Sequence, residues 1–159
     1  MTREQLEHVI RVSGSLTNSL HIMVVGSQSI LGACPGAPAE LTRSMEADVY
    51  PLHAPERAEL IEGSIGEGSP FQSTYGYYAQ GVGPETATLP AGWQERVVAV
   101  KVEGVTGYCL EPHDLAAAKL VAGREKDGPF VLAMLRHAII EGPTLMARLG
   151  DLPIGAEHR

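Results

Sequence analysis

Cysteines, aromatic residues and long apolar runs are scarce in this chain. Only two of its 159 residues are cysteine, and the separation of Cys34 and Cys109 does not match the ligand spacing of a zinc site. No secretory signal is recognisable, so we expect both thiols to be reduced and the protein to be cytoplasmic. No apolar run approaches the roughly 18 residues of a membrane span, which predicts that no membrane is a partner.

Positive charge is also scarce. Twelve Lys and Arg residues face 19 Asp and Glu residues, giving a formal net charge of −7. This balance argues against a large nucleic-acid footprint, which relies on many cation–phosphate contacts. A hydrophobic content of 44% is typical of a soluble globular domain, and the length suits one domain over residues 1–159.

The hydrophobic periodicity predicts strands mixed with helices. Thr2 and Gln5 have the spacing of a capping box that opens an N-terminal helix. Strands are predicted over 21–25, 45–52, 93–102 and 105–110, and helices over 27–32, 55–62, 112–126 and 128–141. Residues 63–92 are predicted to form short strands and loops. The pattern therefore predicts an α/β (α+β) fold with a mixed sheet, flanking helices and a helical C-terminal end.

The segment from His21 to Asp48 is the most informative about function. An apolar strand delivers the small turn Gly26-Ser27, where backbone N–H groups can approach a phosphate closely. The next predicted strand carries Glu46 and Asp48, which share one face because they are two residues apart. Two such carboxylates repel one another unless a cation lies between them, so they could share one metal ion. The alternative is a solvated pair on an exposed strand edge.

A second segment carries Lys119, Gly123 and Asp127 at intervals of four residues. On one continuous helix they would form a single stripe, with Lys119 and Asp127 about 12 Å apart and unable to pair directly. Each would then serve another partner, and Gly123 would permit close approach of a strand or substrate. The alternatives are that Asp127 caps the following helix and that Lys119 is a surface lysine.

Taken together, these motifs resemble the nucleotidyltransferase-fold superfamily. The matching segments are Gly26-Ser27, Arg43-Ser-Met-Glu46-Ala-Asp48 and Lys119-Leu-Val-Ala-Gly-Arg124-Glu-Lys-Asp127, within residues 24–50 and 112–130. Within that superfamily the chain is similar to small bacterial nucleotidyltransferase domains of unknown function. It is also similar to AbiEii-type toxins of type IV toxin–antitoxin systems.

The resemblance implies a catalytic site and a reaction. Glu46 and Asp48 would bind Mg²⁺ or Mn²⁺, and Gly26, Ser27 and Arg43 would contact the triphosphate of an NTP. Lys119, Asp127 and Arg124 would complete the site, with Lys119 and Arg124 on the phosphates. The enzyme would move an NMP group to an RNA such as tRNA, a protein or a small hydroxyl compound. A toxin-like role would add a protein antitoxin as partner.

Two departures from the superfamily pattern leave a second hypothesis open. Glu46 stands where Asp is usual, and no third carboxylate is identifiable, with Glu103 a candidate on position only. The alternative is a degenerate, non-catalytic binding or regulatory module of the same fold. A weaker alternative is an interaction protein held in a toxin–antitoxin pair without any nucleotide effect.

Overall fold

One mixed β-sheet organises the protein, whose computed structural model describes residues 1–153. The strands of this sheet are β1 (His21–Val25), β2 (Glu46–Pro51), β3 (Tyr78–Gly81), β4 (Val98–Val102) and β5 (Val105–Cys109). Their order across the sheet is β3-β2-β1-β5-β4. Central strand β1 is antiparallel to β2 and parallel to β5, while β2–β3 is a parallel pair and β4–β5 an antiparallel one.

Helices flank this sheet. Those in residues 1–153 are α1 (Arg3–Thr17), α2 (Ile30–Ala33), α3 (Ala58–Ile65), α4 (Pro70–Tyr75), α5 (Trp93–Arg96), α6 (Pro112–Ala122), α7 (Asp127–Arg136) and α8 (Gly142–Gly150). The last three follow the final strand, so the predicted mixed sheet with a helical C-terminal end is confirmed. None of the helices within these residues has the length and apolarity needed to cross a membrane.

Helix α1 forms where the sequence predicts it. The Thr2 hydroxyl accepts a hydrogen bond from the Gln5 N–H, and the Gln5 side chain accepts one from the Thr2 N–H, which completes the capping box. Leu6 and Ile10 are fully buried on the inner face of the helix. A Cβ atom added to Gly107 of β5 would lie 2.4 Å from Ile10 Cδ1. Glycine at this position therefore lets α1 pack closely against the sheet.

The predicted strand over 93–102 is wrong in its first half. Gly92 adopts a left-handed conformation with φ 84° and is followed by helix α5, so strand β4 begins only at Val98. From there the predicted alternation holds, since Val100 is buried and Lys101 is exposed. The apolar pattern thus predicted strand β4 correctly, but the helix that follows Gly92 delays the start of the strand to Val98.

Residues 63–92 contain more helix than the sequence pattern indicates. Ser69 caps α4 by accepting a hydrogen bond from the Gln72 N–H, and left-handed Gly76 ends the helix. The Tyr75 ring then packs against Phe71, and β3 follows. A serine cap and a terminal glycine are local helix signals, although the many small residues around them favoured a loop interpretation.

The C-terminal helices are joined to the rest of the fold through a buried carboxylate. Asp114 in α6 is fully buried and accepts hydrogen bonds from Arg96 Nε and Nη2 and from Arg148 Nη1, each at 2.9 Å. These donors belong to α5 and α8. Because removing one partner of a buried ion pair leaves an uncompensated charge, this cluster fixes three helices relative to one another.

Candidate active site

The turn after β1 lies directly against a carboxylate of β2. Gly26 has φ 72°, and a Cβ atom added there would be 2.4 Å from Asp48 Oδ2. The antiparallel register places Asp48 opposite Val25, the last residue of β1. The structure therefore brings together the small turn and the acidic strand that the sequence motifs singled out, and only glycine fits at the contact.

Asp48 combines burial with a lack of hydrogen-bond donors. Its Oδ1 atom is buried and has no hydrogen-bond partner within residues 1–153. Burial, and then the neighbouring Glu46 carboxylate, raise the pKa of Asp48 to about 8, while Lys119 and Arg124 act weakly in the opposite direction. A carboxyl group in this environment gains from a bound proton or cation.

The two acids suit a divalent cation that is also bound by a substrate. Mg²⁺ is usually held by one or two carboxylates together with substrate phosphates and water, and not by a cage made of protein alone. Among the described residues, no three or more His, Cys, Asp or Glu side chains form a group that could hold a metal. Glu46 and Asp48, with the unpartnered Oδ1, thus fit a metal whose remaining ligands come from an NTP.

Glu103, the candidate for a third carboxylate, is remote from this pair. It lies in the turn between β4 and β5, with φ 47°, where its exposed carboxylate forms an ion pair with Arg11. Thr106, three residues later, pairs with His21 at the start of β1, whereas Asp48 pairs with the end of β1. Glu103 therefore sits toward the opposite end of the sheet and does not contribute to the site.

Lys119 and Asp127 form a direct ion pair, so the predicted 12 Å separation is wrong. Helix α6 ends at Ala122, and Gly123 takes a left-handed conformation with φ 61°. The chain then folds back, and Lys119 Nζ lies 3.3 Å from Asp127 Oδ1. The single helix over 112–126 was the faulty assumption, because a left-handed glycine at a helix end reverses the chain direction.

Asp127 is the centre of this turn. Its buried carboxylate accepts hydrogen bonds from the Arg124 backbone N–H at 3.0 Å and from Arg124 Nε at 2.9 Å. Burial raises the pKa of Asp127, but these bonds and the Lys119 charge outweigh burial and hold it below its usual value. Asp127 is itself the first residue of α7, so the alternative that it caps that helix is wrong.

Lys119 is a buried side chain, with a relative exposure of 5%, and not a surface lysine. Its Nζ lies 4.8 Å from the centre of the Phe130 ring, in a cation–π contact. Burial lowers the pKa of Lys119 by more than Asp127 raises it. A buried lysine held between an acid and a ring is positioned to meet a second anion.

Two cavities meet at Lys119. The first has a volume of about 290 Å³ and the second about 180 Å³. Polar and aromatic residues of the first cavity include Ser27, Gln28, Arg43, Ser44, Lys119, Lys126 and Phe130. Gly26, Asp48, Lys119 and Arg124 line the second. Of the predicted site residues, Ser27 and Arg43 line the first cavity, Gly26, Asp48 and Arg124 line the second and Lys119 lines both, while Glu46 and Asp127 line neither.

Phe130 is a cavity residue that the sequence motifs did not single out, whereas Lys126 belongs to the Arg124-Glu-Lys126-Asp127 motif without an assigned role. Both line the first cavity because the turn at Gly123 brings the start of α7 back toward Lys119. The left-handed glycine was the only local signal that could have indicated this. Lys126 and Phe130 can be assigned to the cavity only when it is known that the helix ends at Gly123.

Comparison with known proteins gives one family. The model of a family described as a nucleotidyltransferase of unknown function (DUF6036) matches residues 4–151. The matched segment includes the turn after β1, both acids of β2 and the Lys119–Asp127 pair. No curated protein and no solved structure matches the chain.

Proposed function

The chain belongs to this family of nucleotidyltransferases of unknown function, and from that premise we propose that it transfers a nucleoside monophosphate from an NTP to a hydroxyl acceptor. The observation that carries the proposal is the buried, unpartnered oxygen of Asp48 beside Gly26 and next to the shared wall of two cavities. The family description confirms the resemblance to the nucleotidyltransferase superfamily.

In this proposal the first cavity holds the triphosphate. Its three cations, Arg43, Lys119 and Lys126, would neutralise phosphate charge, and the Ser27 turn would add polar contacts at the same wall. Arg124, on the second cavity, is tied to Asp127 and would hold that carboxylate in place while Lys119 turns toward the nucleotide. The predicted nucleotide-binding residues thereby divide into phosphate contacts and a positioning arginine.

Glu46 and Asp48 would hold Mg²⁺ or Mn²⁺. A metal held by these two carboxylates would supply positive charge that offsets the negative charge of a triphosphate substrate. Glu46, in place of the usual Asp, has one more methylene and would reach the same position from its site at the start of β2. The negative charge of the two acids is then matched by a cation, which relieves the repulsion that raises the pKa of Asp48.

The proposal is tested by titrating the protein with each NTP, first with Mg²⁺ and then with EDTA. We expect binding that requires Mg²⁺ and that falls at least about tenfold in Asp48→Asn, which keeps the shape but removes the charge. Glu103→Gln is the matched control, because it likewise replaces a carboxylate by an amide, but far from the site. The metal assignment would be contradicted if wild type and Asp48→Asn bound NTP with equal affinity, or if EDTA left the affinity for NTP unchanged.

A second candidate function rests on the acids themselves. Within residues 1–153 no third carboxylate joins Glu46 and Asp48, which favours a non-catalytic module that binds nucleotide for regulation. Such a module would bind an NTP without releasing pyrophosphate. Incubation with α-labelled NTP and each acceptor class separates the two, since only the transferase forms a labelled product.

A toxin-like role follows from the resemblance to AbiEii-type toxins and belongs to the same proposal. An RNA such as tRNA would then be the acceptor, and a protein antitoxin would bind the chain. Growth arrest on expression of wild type, absent with Asp48→Asn and relieved by a protein that copurifies with the chain, would support this role. Normal growth with active enzyme would contradict it.

A further inference from the structure

Apolar side chains form a large part of the wall of the second cavity. Its apolar lining consists of Val25, Ala87, Leu110, Leu115, Ala118 and Ala122. Thr86 adds one hydroxyl, and Asp48 is the carboxylate on this wall. Lys119 and Arg124 complete the lining, and a pocket that combines apolar side chains with a few polar groups is typical of a small-molecule site.

We propose that this second cavity binds the acceptor, and that the acceptor is a low-molecular-weight hydroxyl compound whose apolar body is about the size of one six-membered ring. The inference rests on the proposed function and narrows its acceptor class. A cavity of about 180 Å³ exceeds the engineered apolar cavity of about 150 Å³ that binds benzene. A ring with one hydroxyl group therefore fits, and its hydroxyl would face Asp48.

The charges around the second cavity disfavour RNA as the acceptor. In the proposed function Lys119 contacts the triphosphate, and Arg124 pairs with Asp127, so neither of the two cations of this cavity is left for the backbone of an RNA acceptor. Binding of a nucleic acid draws on several cation–phosphate contacts, and the chain as a whole carries a net charge of −7. An uncharged, apolar acceptor needs no cation contacts and is not repelled by the negative net charge.

Lys119 places the proposed NTP and acceptor sites next to each other. Because Lys119 lines both cavities, an α-phosphate beside it would lie at their junction. The acceptor oxygen would form a bond to the α-phosphorus while the bond to pyrophosphate breaks, and the acceptor proton would be released to solvent. Pyrophosphate would remain in the first cavity, among Arg43, Lys119 and Lys126.

The test fills the second cavity and leaves the first unchanged. Ala118→Leu adds three carbons to its wall, and Ala99→Leu, on an exposed position of β4, is the matched control. Saturation-transfer NMR with benzyl alcohol and the metal-free protein measures occupancy without any reaction. We expect wild type and Ala99→Leu to bind benzyl alcohol, and Ala118→Leu to bind it about tenfold or more weakly. The magnesium-dependent affinity for NTP should be the same in all three proteins.

A second measurement follows the label from α-labelled NTP into benzyl alcohol, glycerol or a short RNA hairpin. Label in benzyl alcohol, lost in Ala118→Leu, supports the inference. Label in the hairpin alone, or benzyl alcohol contact that Ala118→Leu leaves intact, overturns it while the proposed function stands. Absence of magnesium-dependent NTP binding overturns the proposed function instead, and the NMR contact still decides whether the cavity binds a ring-sized alcohol.

Discussion

Among single residues, Asp48 has a direct effect on how stability varies with pH. Its pKa is raised from 3.8 to about 8 in the folded protein, first by burial and then by Glu46. The folded state therefore holds a proton that the unfolded chain releases. The stability contributed by this group is fully present below about pH 4 and is lost as the pH rises to about 8.

Replacing Asp48 with Asn removes this dependence in the metal-free protein. In EDTA, we expect the Tm of Asp48→Asn minus that of wild type to widen between pH 5 and 8 and to level off above pH 8. Each kcal/mol of difference in the free energy of unfolding between the two proteins corresponds to a Tm difference of roughly 2–4 °C for a domain of this size. Thermal unfolding followed by circular dichroism measures the difference. A gap that stays constant from pH 5 to 9 would show that Asp48 is ionised throughout.

Gly26 offers a second prediction at the residue scale, because its left-handed backbone and its contact with Asp48 can be separated. Gly26→Ala places a methyl group against the carboxylate, whereas Gly68→Ala strains an equally left-handed residue with φ 80° and open space around it. Gly68→Ala should lose about 1–2 kcal/mol of stability in urea from backbone strain alone, and Gly26→Ala should lose more, because its methyl group also meets Asp48. Only Gly26→Ala should also lose magnesium-dependent NTP binding. Equal binding in the two variants would contradict a role for the contact.

At the scale of elements, the turn between α6 and α7 depends on the buried Lys119–Asp127 pair. Asp127→Asn should reduce the free energy of unfolding by about 3 kcal/mol, because Lys119 is left buried without its counter-charge. Adding Lys119→Met should recover much of that loss, since the apolar chain needs no partner, while NTP binding stays weak. Urea denaturation of the single and double variants measures the coupling.

The control for this cycle is Glu103→Gln, which removes an exposed ion pair with Arg11 and should cost less than about 1 kcal/mol. A loss in Asp127→Asn no larger than in this control would show that the buried pair does not hold the turn. A double variant less stable than Asp127→Asn would show that the Lys119 charge itself contributes, independently of Asp127.

The same turn explains where prediction of the elements from sequence failed. Strands β1 and β2 were predicted within one residue or two, because their apolar residues and bounding turns are local signals. Helix α6 was extended through Gly123, since a single glycine does not always end a helix. Left-handed Gly123 ends the helix, and the carboxylate of Asp127 then stabilises the turn by accepting hydrogen bonds from the Arg124 N–H and Lys119, a contact between residues that no local pattern connects.

At the scale of the whole molecule, the candidate site was predicted as a set of residues but not as a shape. Strand periodicity placed Glu46 and Asp48 on one face, and the resemblance joined them to Gly26 and Lys119. The two cavities arise where segments distant in sequence meet, as Asp48, Thr86 and Leu115 do in the lining of the second cavity. No periodicity within one segment carries that information, so the presence of two cavities that share Lys119 could not be predicted from the sequence.

Lys119 gives the molecule a further property, because one side chain forms part of the wall of both cavities. A ligand that draws Nζ away from Asp127 on one side alters the surface that the other ligand meets. Binding linkage is reciprocal, so whatever factor an NTP applies to the affinity for the acceptor, the acceptor applies to the affinity for the NTP. The two substrates would then be sensed together through a single ammonium group.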